Sequence, residues 1–300
     1  MNIGALFGLA TALVWGTGDF LSRKPSAKIG SFITAVYVQP FGLLLLFVIL
    51  LASGEGSNFA LISSHPFSFA LNLTAGVISF AGLAFLFEGY SSGVMSVVAP
   101  IAGSYPAVSV MLSVFLLGTV LTPLRAFSIL GVIVGIVLTG VKLSELRIRG
   151  STSLTLSRNK LIKGADYGLL TCFCAGISLF IIGVVTPTFG LFLPSFAVKL
   201  SETISAIFAA AIMGKKFIRP TGKVLLWLAI IGASDAAGFA SYSYGIIAAG
   251  NNIPIVVTLS GLVGVVTVLL ARIFYKEKLE KIQLIGILII FSSVAAILYF

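Results

Sequence analysis

Apolar runs about as long as a bilayer is thick recur ten times along the chain, and no other feature limits its fold so severely. A helix rises ~1.5 Å per residue, so roughly 20 residues cross the hydrocarbon layer, and a helix satisfies its own backbone donors and acceptors while doing so. The runs lie near Ile3–Ser22, Ser31–Ala52, Phe69–Tyr90, Val94–Leu117, Leu124–Val141, Gly164–Thr186, Leu191–Met213, Val224–Ala249, Ile253–Phe274 and Ile282–Tyr299. The first has no basic segment before it and Arg23 and Lys24 after it, which argues against a cleaved signal peptide. With 58% hydrophobic residues, 9% charged and a mean hydropathy of +1.15, a water-soluble globule is excluded. The expected fold is an all-α polytopic membrane protein of ten transmembrane helices. Cys172 and Cys174, two apart on one helix, face different directions and are expected as unpaired apolar filler.

The chain repeats itself. Gly4-Ala-Leu-Phe-Gly-Leu-Ala-Thr11 returns as Gly164-Ala-Asp-Tyr-Gly-Leu-Leu-Thr171, and Gly16 and Phe20 fall on Gly176 and Phe180, at an offset of 160. Later the offset drops to 157, placing Gly93 on Gly250, Gly103 and Ser104 on Ser260 and Gly261, and Val257 and Val263 where the first half has Pro100 and Pro106. The expected organisation is a five-helix repeat over residues 1–141, a basic linker over 142–163 and a second five-helix repeat over 164–300. Five spans per repeat, an odd number, invert the second copy in the membrane.

Charge supports the inversion independently. Of the 19 Lys and Arg, 17 fall on one face, in the loops after spans one, five, seven and nine with Arg272 in the last turn of span nine; Arg125 is on the other face and Lys199 lies inside span seven. The net charge of +10 therefore reads as membrane orientation rather than as nucleic-acid binding. The positive-inside rule makes the basic loops cytoplasmic and puts both termini outside.

Ionisable groups within spans are the candidates for chemistry, because each costs at least ~2.5 kcal/mol at mid-membrane and such groups line cavities. Lys199 and Glu202 stand at i and i+3 on one face of span seven, as a coupling pair or a structural ion pair between helices. Asp235 lies mid-span with no cation within a turn of its own helix, and its face continues through Gly238, Phe239 and Tyr242. Asp19 and Glu88 sit nearer the ends of spans one and three, where reaching the interface is the plainer reading. Trp15, one turn from Asp19, is a cavity wall or a packing aromatic.

Ten spans in two inverted fives, Trp15-Gly16 late in span one and the run Gly93…Pro100…Tyr105-Pro106 together resemble the EamA-type drug/metabolite transporters, across essentially the whole chain. The resemblance implies a midplane cavity between the halves, lined by spans one, three, four, six, eight and nine. Trp15, Asp19, Tyr105, Asp235, Phe239 and Tyr242 are then the expected substrate-binding residues, with Asp235, Lys199, Glu202 and Glu88 in coupling or gating. Many members of that family are expected to have cytoplasmic termini, whereas the charge bias here says the reverse, and an acid often following the glycine at Gly118-Thr119-Val120 is missing here.

The expected activity is secondary transport of a small amphipathic metabolite, an amino acid or similar solute, by alternating access, with export and proton coupling. No cofactor, metal or nucleic acid is expected; the partners are the solute, protons and the lipid bilayer of the cell membrane, around a monomer or homodimer. Two other classes fit parts of the sequence. Gly16-Thr17-Gly18-Asp19 spells the G-x-G-D of intramembrane aspartyl proteases, with Asp235 as the second acid, but the companion Tyr-Asp span and Pro-Ala-Leu are missing. A passive channel or scaffold is the other. The chain carries no G-x-x-x-x-G-K-[ST] loop for ATP-driven transport.

Overall fold

The computed structural model describes residues 3–93, 95–140, 154–215, 217, 219–275 and 280–299, and these are helical almost throughout. The first half holds α1 (Ile3–Ile29), α2 (Ser31–Ala52), α3 (Pro66–Ser92), α4 (Met95–Gly103), α5 (Pro106–Leu117) and α6 (Pro123–Gly140). A 3-10 turn (Glu55–Ala60) and one helical turn (Leu61–Ser64) join α2 to α3. The second half holds α7 (Leu154–Phe189), α8 (Leu193–Ile212), α9 (Lys223–Ala248), α10 (Ile253–Ser260), α11 (Val263–Tyr275) and α12 (Lys281–Tyr299).

Eight stretches are long and apolar enough to cross a membrane, counting Val98–Leu117 and Ile253–Phe274 as one each; the fifth and tenth expected spans are shorter apolar helices. Two expectations change. Spans four and nine are each broken in the middle, at Ser104–Tyr105 and at Gly261–Leu262, where the backbone tightens to i→i−3 hydrogen bonds (Tyr105 N–H to Ala102 O at 3.2 Å, Leu262 N–H to Leu259 O at 3.2 Å). The linker also shrinks: residues 142–153 lie outside the described residues, but 154–163 are the first turns of α7. At 36 residues that helix is ~54 Å long, so its basic first turns project beyond the bilayer.

The packing repeats with the halves exchanged. Helix α1 lies on α9 as α7 lies on α3, α2 on α9 as α8 on α3, and α1 on α10 and α11 as α7 on α4 and α5; α2 with α8 and α6 with α12 pair across the axis. Contacts at glycines fix the directions. Gly4 faces Gly245 while Gly18 faces Ser234, and Gly89 faces Tyr167 while Gly82 faces Cys174, so α1 runs antiparallel to α9 and α3 antiparallel to α7. They also correct the register. Gly76, Gly82 and Gly89 of α3 match Gly232, Gly238 and Gly245 of α9 at an offset of 156, whereas Gly16 packs on Val263 and Val266 as Gly176 packs on Tyr105 and Val108, an offset of 158. Gly103 therefore corresponds to Gly261, and Pro106 to Gly264 rather than Val263. The two broken helices meet there, with the site of a Cβ on Gly261 only 2.9 Å from Gly103 O and 2.3 Å from Pro106 Cγ. Proline makes one break and small residues accommodate the other.

The outside is apolar. Leu44, Val48 and Leu51 on α2, Phe115 and Leu116 on α5, Phe127 on α6, Phe208 and Ile212 on α8 and Phe291 on α12 are exposed, while Thr11, Gln39, Asn72, Ser109 and Thr267 are buried. A surface so arranged is stable against hydrocarbon and not against water. The chain is a multi-pass membrane protein.

Candidate functional site

A cavity lies between the halves, walled by α1, α3, α4, α7, α9 and α11. Trp15, Asp19, Tyr105, Asp235 and Phe239, named from the sequence, all line it, together with Ser79, Tyr90 and Ser178. Its Asp19–Tyr90 end lies toward the C-termini of α1 and α3, the side of the basic loops. The other side is filled by Leu179, Phe189, Tyr242, Ile253 and Val256. Above that plug Glu55 accepts the backbone N–H groups of Leu191 (3.0 Å) and Phe192 (2.8 Å), and Asn58 Nδ2 donates to Phe189 O at 3.0 Å, so the first half's loop is fastened to the second half.

One wall is ionic. Lys199 Nζ donates to Glu202 Oε2, to Asp235 Oδ2 and, at 2.8 Å, to Gln39 Oε1. The expectation that Asp235 lacks a counter-ion holds on its own helix only, since α8 supplies the cation. Within the cluster the Lys199 and Glu202 side chains are 0% and 2% exposed, and only Asp235, at 19%, meets the cavity. Gln39 escaped the sequence reading, although the repeat pointed to it: it stands 160 residues before Lys199, as Gly42 does before Glu202, and at the α3/α9 offset Ser79 answers Asp235. The charges thus occupy one half, and their uncharged counterparts occupy the other. Gly42 leaves room for the lysine, because a Cβ there would lie in tight contact, 3.0 Å from Lys199 Cε and 3.0 Å from Gly232 O.

Aromatic groups complete the wall. Trp15 Nε1 donates to Asp235 O at 3.1 Å, and the indole meets Phe239 edge-on with centroids 5.3 Å apart. Gly238 leaves the room for it: a Cβ there would fall 2.2 Å from Trp15 Nε1. Gly238→Ala should therefore push the rigid indole off the wall and break its hydrogen bond, a loss of ~1 kcal/mol and several-fold in flux. Transport by Gly238→Ala at the wild-type rate, with Trp15 fluorescence unchanged, would refute that packing.

The remaining expected site residues are placed as follows. Asp19 Oδ2 accepts from Tyr90 Oη at 3.3 Å, and Tyr105 Oη donates to Ser260 Oγ at 2.8 Å across the two broken helices. Tyr242 is wholly buried in the plug beneath Trp15, with its hydroxyl on Leu179 O at 2.9 Å, so it supports the wall without lining the cavity. Glu88 accepts from Ser31 Oγ at 2.5 Å, where α2 begins, and is not among the lining residues. Cys172 and Cys174 are free thiols. Among the described residues no cluster of His, Cys, Asp or Glu could hold a metal ion.

The profile of the EamA-like transporter family matches residues 2–141 and, a second time, 162–299. The chain belongs to that family, whose members are membrane transporters. A solved structure described only as a crystal structure of a protein superposes with a TM-score of 0.74 at 17% identity, over 99% of this chain and 98% of the other, which is a likeness of fold. No curated protein matches the sequence.

Proposed function

We propose that the protein is a secondary transporter of a small amphipathic solute bearing an ammonium group, an amino acid or an amine, working by alternating access between two inverted five-helix repeats that make ten crossings. The observation that carries this reading is the wall cluster: one cation serves two carboxylates, and one of those carboxylates faces a cavity. The cluster is one positive charge short, so a proton or a cargo ammonium fills the same vacancy and the two exchange. Trp15 and Phe239 suit an apolar or ring-bearing portion of the cargo. A cavity extending toward the basic loops with a plug behind it suits loading from the cytoplasm, which supports export as the direction. Asp19 and Asp235 line the same cavity, but each is held by its own partner, Tyr90 and Lys199, and no hydrogen bond joins the two acids among the described residues, so the geometry supports transport over a protease dyad sharing a proton.

The test is uptake into liposomes of labelled amino acids, phenylalanine first, with and without an imposed pH gradient and against protein-free vesicles. Uptake accelerated by the gradient is expected; a gradient-blind flux would make the protein a passive channel instead. Orientation is tested in cells. With the protein in the cell membrane, basic loops inside and both termini outside, an impermeant maleimide should modify Ser57→Cys in the exposed α2–α3 turn and spare Thr221→Cys before α9, in a background with Cys172 and Cys174 replaced by Ala. Labelling of the second site alone reverses the topology.

A further inference from the structure

Lys199 approaches Asp235 from behind the cavity wall, while the cavity reaches the same carboxylate from the front. We propose that Lys199 is a tethered stand-in for the cargo's ammonium: it occupies Asp235 when the cavity is empty and retreats onto Glu202 and Gln39 when a cationic cargo takes that carboxylate. The inference rests on the transport reading above and adds to it a named competitor for the cargo.

Charge accounting leads there. In the empty state one ammonium is shared between two carboxylates, which leaves the cluster one positive charge short; in the loaded state Lys199 with Glu202 and cargo with Asp235 form two separate neutral pairs, so the cargo's charge makes good the deficit. The retreat is prepared. Gln39 already accepts from Nζ at 2.8 Å, and its own Nε2 donates to Ala35 O at 3.2 Å, which fixes the amide with its oxygen toward the lysine. The Nζ lies 5.3 Å from the centroid of the Phe239 ring, and that ring also lines the cavity, so a π-face serves both the tethered and the incoming cation. The other ionisable groups lining the cavity are Asp19 on α1 and, bonded to it, Tyr90 on α3, together with Tyr105. None of them is a cation, so among the lining residues and the wall cluster Lys199 is the one positive charge that competes.

The experiment compares the full chain in detergent with Lys199→Met/Glu202→Gln, which removes the tethered cation together with its private counter-charge and leaves Asp235 in place. Two labelled probes of equal shape are bound by equilibrium dialysis at mildly alkaline pH: 2-phenylethylammonium and the neutral 2-phenylethanol. With the competitor gone, the ammonium should bind about tenfold or more tighter, because its site is no longer partly occupied, while the alcohol is unaffected. Adding Asp235→Asn should abolish the gain. As an independent arm, Lys199→Arg grips Asp235 through a fork of donors and should weaken ammonium binding about tenfold, again without touching the alcohol. Equal ammonium affinity in the wild type, the double variant and Lys199→Arg would overturn the proposal, and so would parallel changes for both probes, since a reshaped cavity does not discriminate by charge. Failure of the transport reading looks different: neither wild type nor variant then binds the ammonium at all, and this inference falls with it.

Discussion

Lys199→Met should be among the most destabilising single substitutions in the chain, lowering stability by ~3–5 kcal/mol, because it leaves Glu202 buried without a counter-charge. The Glu202 side chain is 2% exposed, and its bond to Lys199 spans i to i+3 on α8. Glu202→Gln should be milder, since Lys199 keeps Asp235 and Gln39 as acceptors. Joining the two changes should recover most of the lysine's loss, because neutral side chains of similar length replace a buried pair at little net cost. Thermal unfolding of the purified protein in one detergent measures all three. A double variant as unstable as Lys199→Met would mean that the two side chains are not energetically coupled, whatever their distance.

The coarse architecture was legible in the sequence because the bilayer makes it so. A helix must be long and apolar to cross, and repeats in the pattern of small residues survive where side chains diverge. The α3 glycines at 76, 82 and 89 and their α9 counterparts at 232, 238 and 245 are such a pattern, each fitting against a neighbouring helix. What stayed hidden was register and partnership. An alignment anchored on Gly93 and Gly250 passes through turns that tolerate slips, so it missed by one residue on both sides, and the matching of Gly103 with Gly261 emerged only from packing. The break in span nine has no proline to announce it. Asp235 looked unpaired because helical spacing reports neighbours on one helix, whereas its cation comes from α8 across a helix interface. Tyr242 sits on the expected face of α9, but the indole of Trp15 lies between its ring and the cavity, stacked at a centroid distance of 6.4 Å. Period alone cannot reveal which of two aromatics stands in front.

Asp235→Asn should abolish the effect of a pH gradient on transport while leaving the protein folded. The fold is expected to survive because Lys199 retains Glu202 and Gln39, and because the hydrogen bond from Trp15 goes to the backbone carbonyl of residue 235, which the substitution does not remove. Function is expected to fail because the amide cannot take up and release a proton, and because a charge-assisted hydrogen bond to an ammonium cargo is lost, worth ~1.5–3 kcal/mol or roughly 10–100-fold in affinity. Glu202, buried behind Lys199, meets the cavity only through its hydrogen bond with Ser79, a lining residue, whereas Asp235 lines the cavity itself. If Asp235 were only a strut to α8, Asn would bond Lys199 through its amide oxygen and serve nearly as well. Liposomes loaded with unlabelled solute separate the two roles. The Asn variant should still exchange labelled for unlabelled solute at high concentration, with no acceleration by a gradient, whereas gradient-driven uptake at the wild-type rate would remove Asp235 from the coupling step and return it to structure.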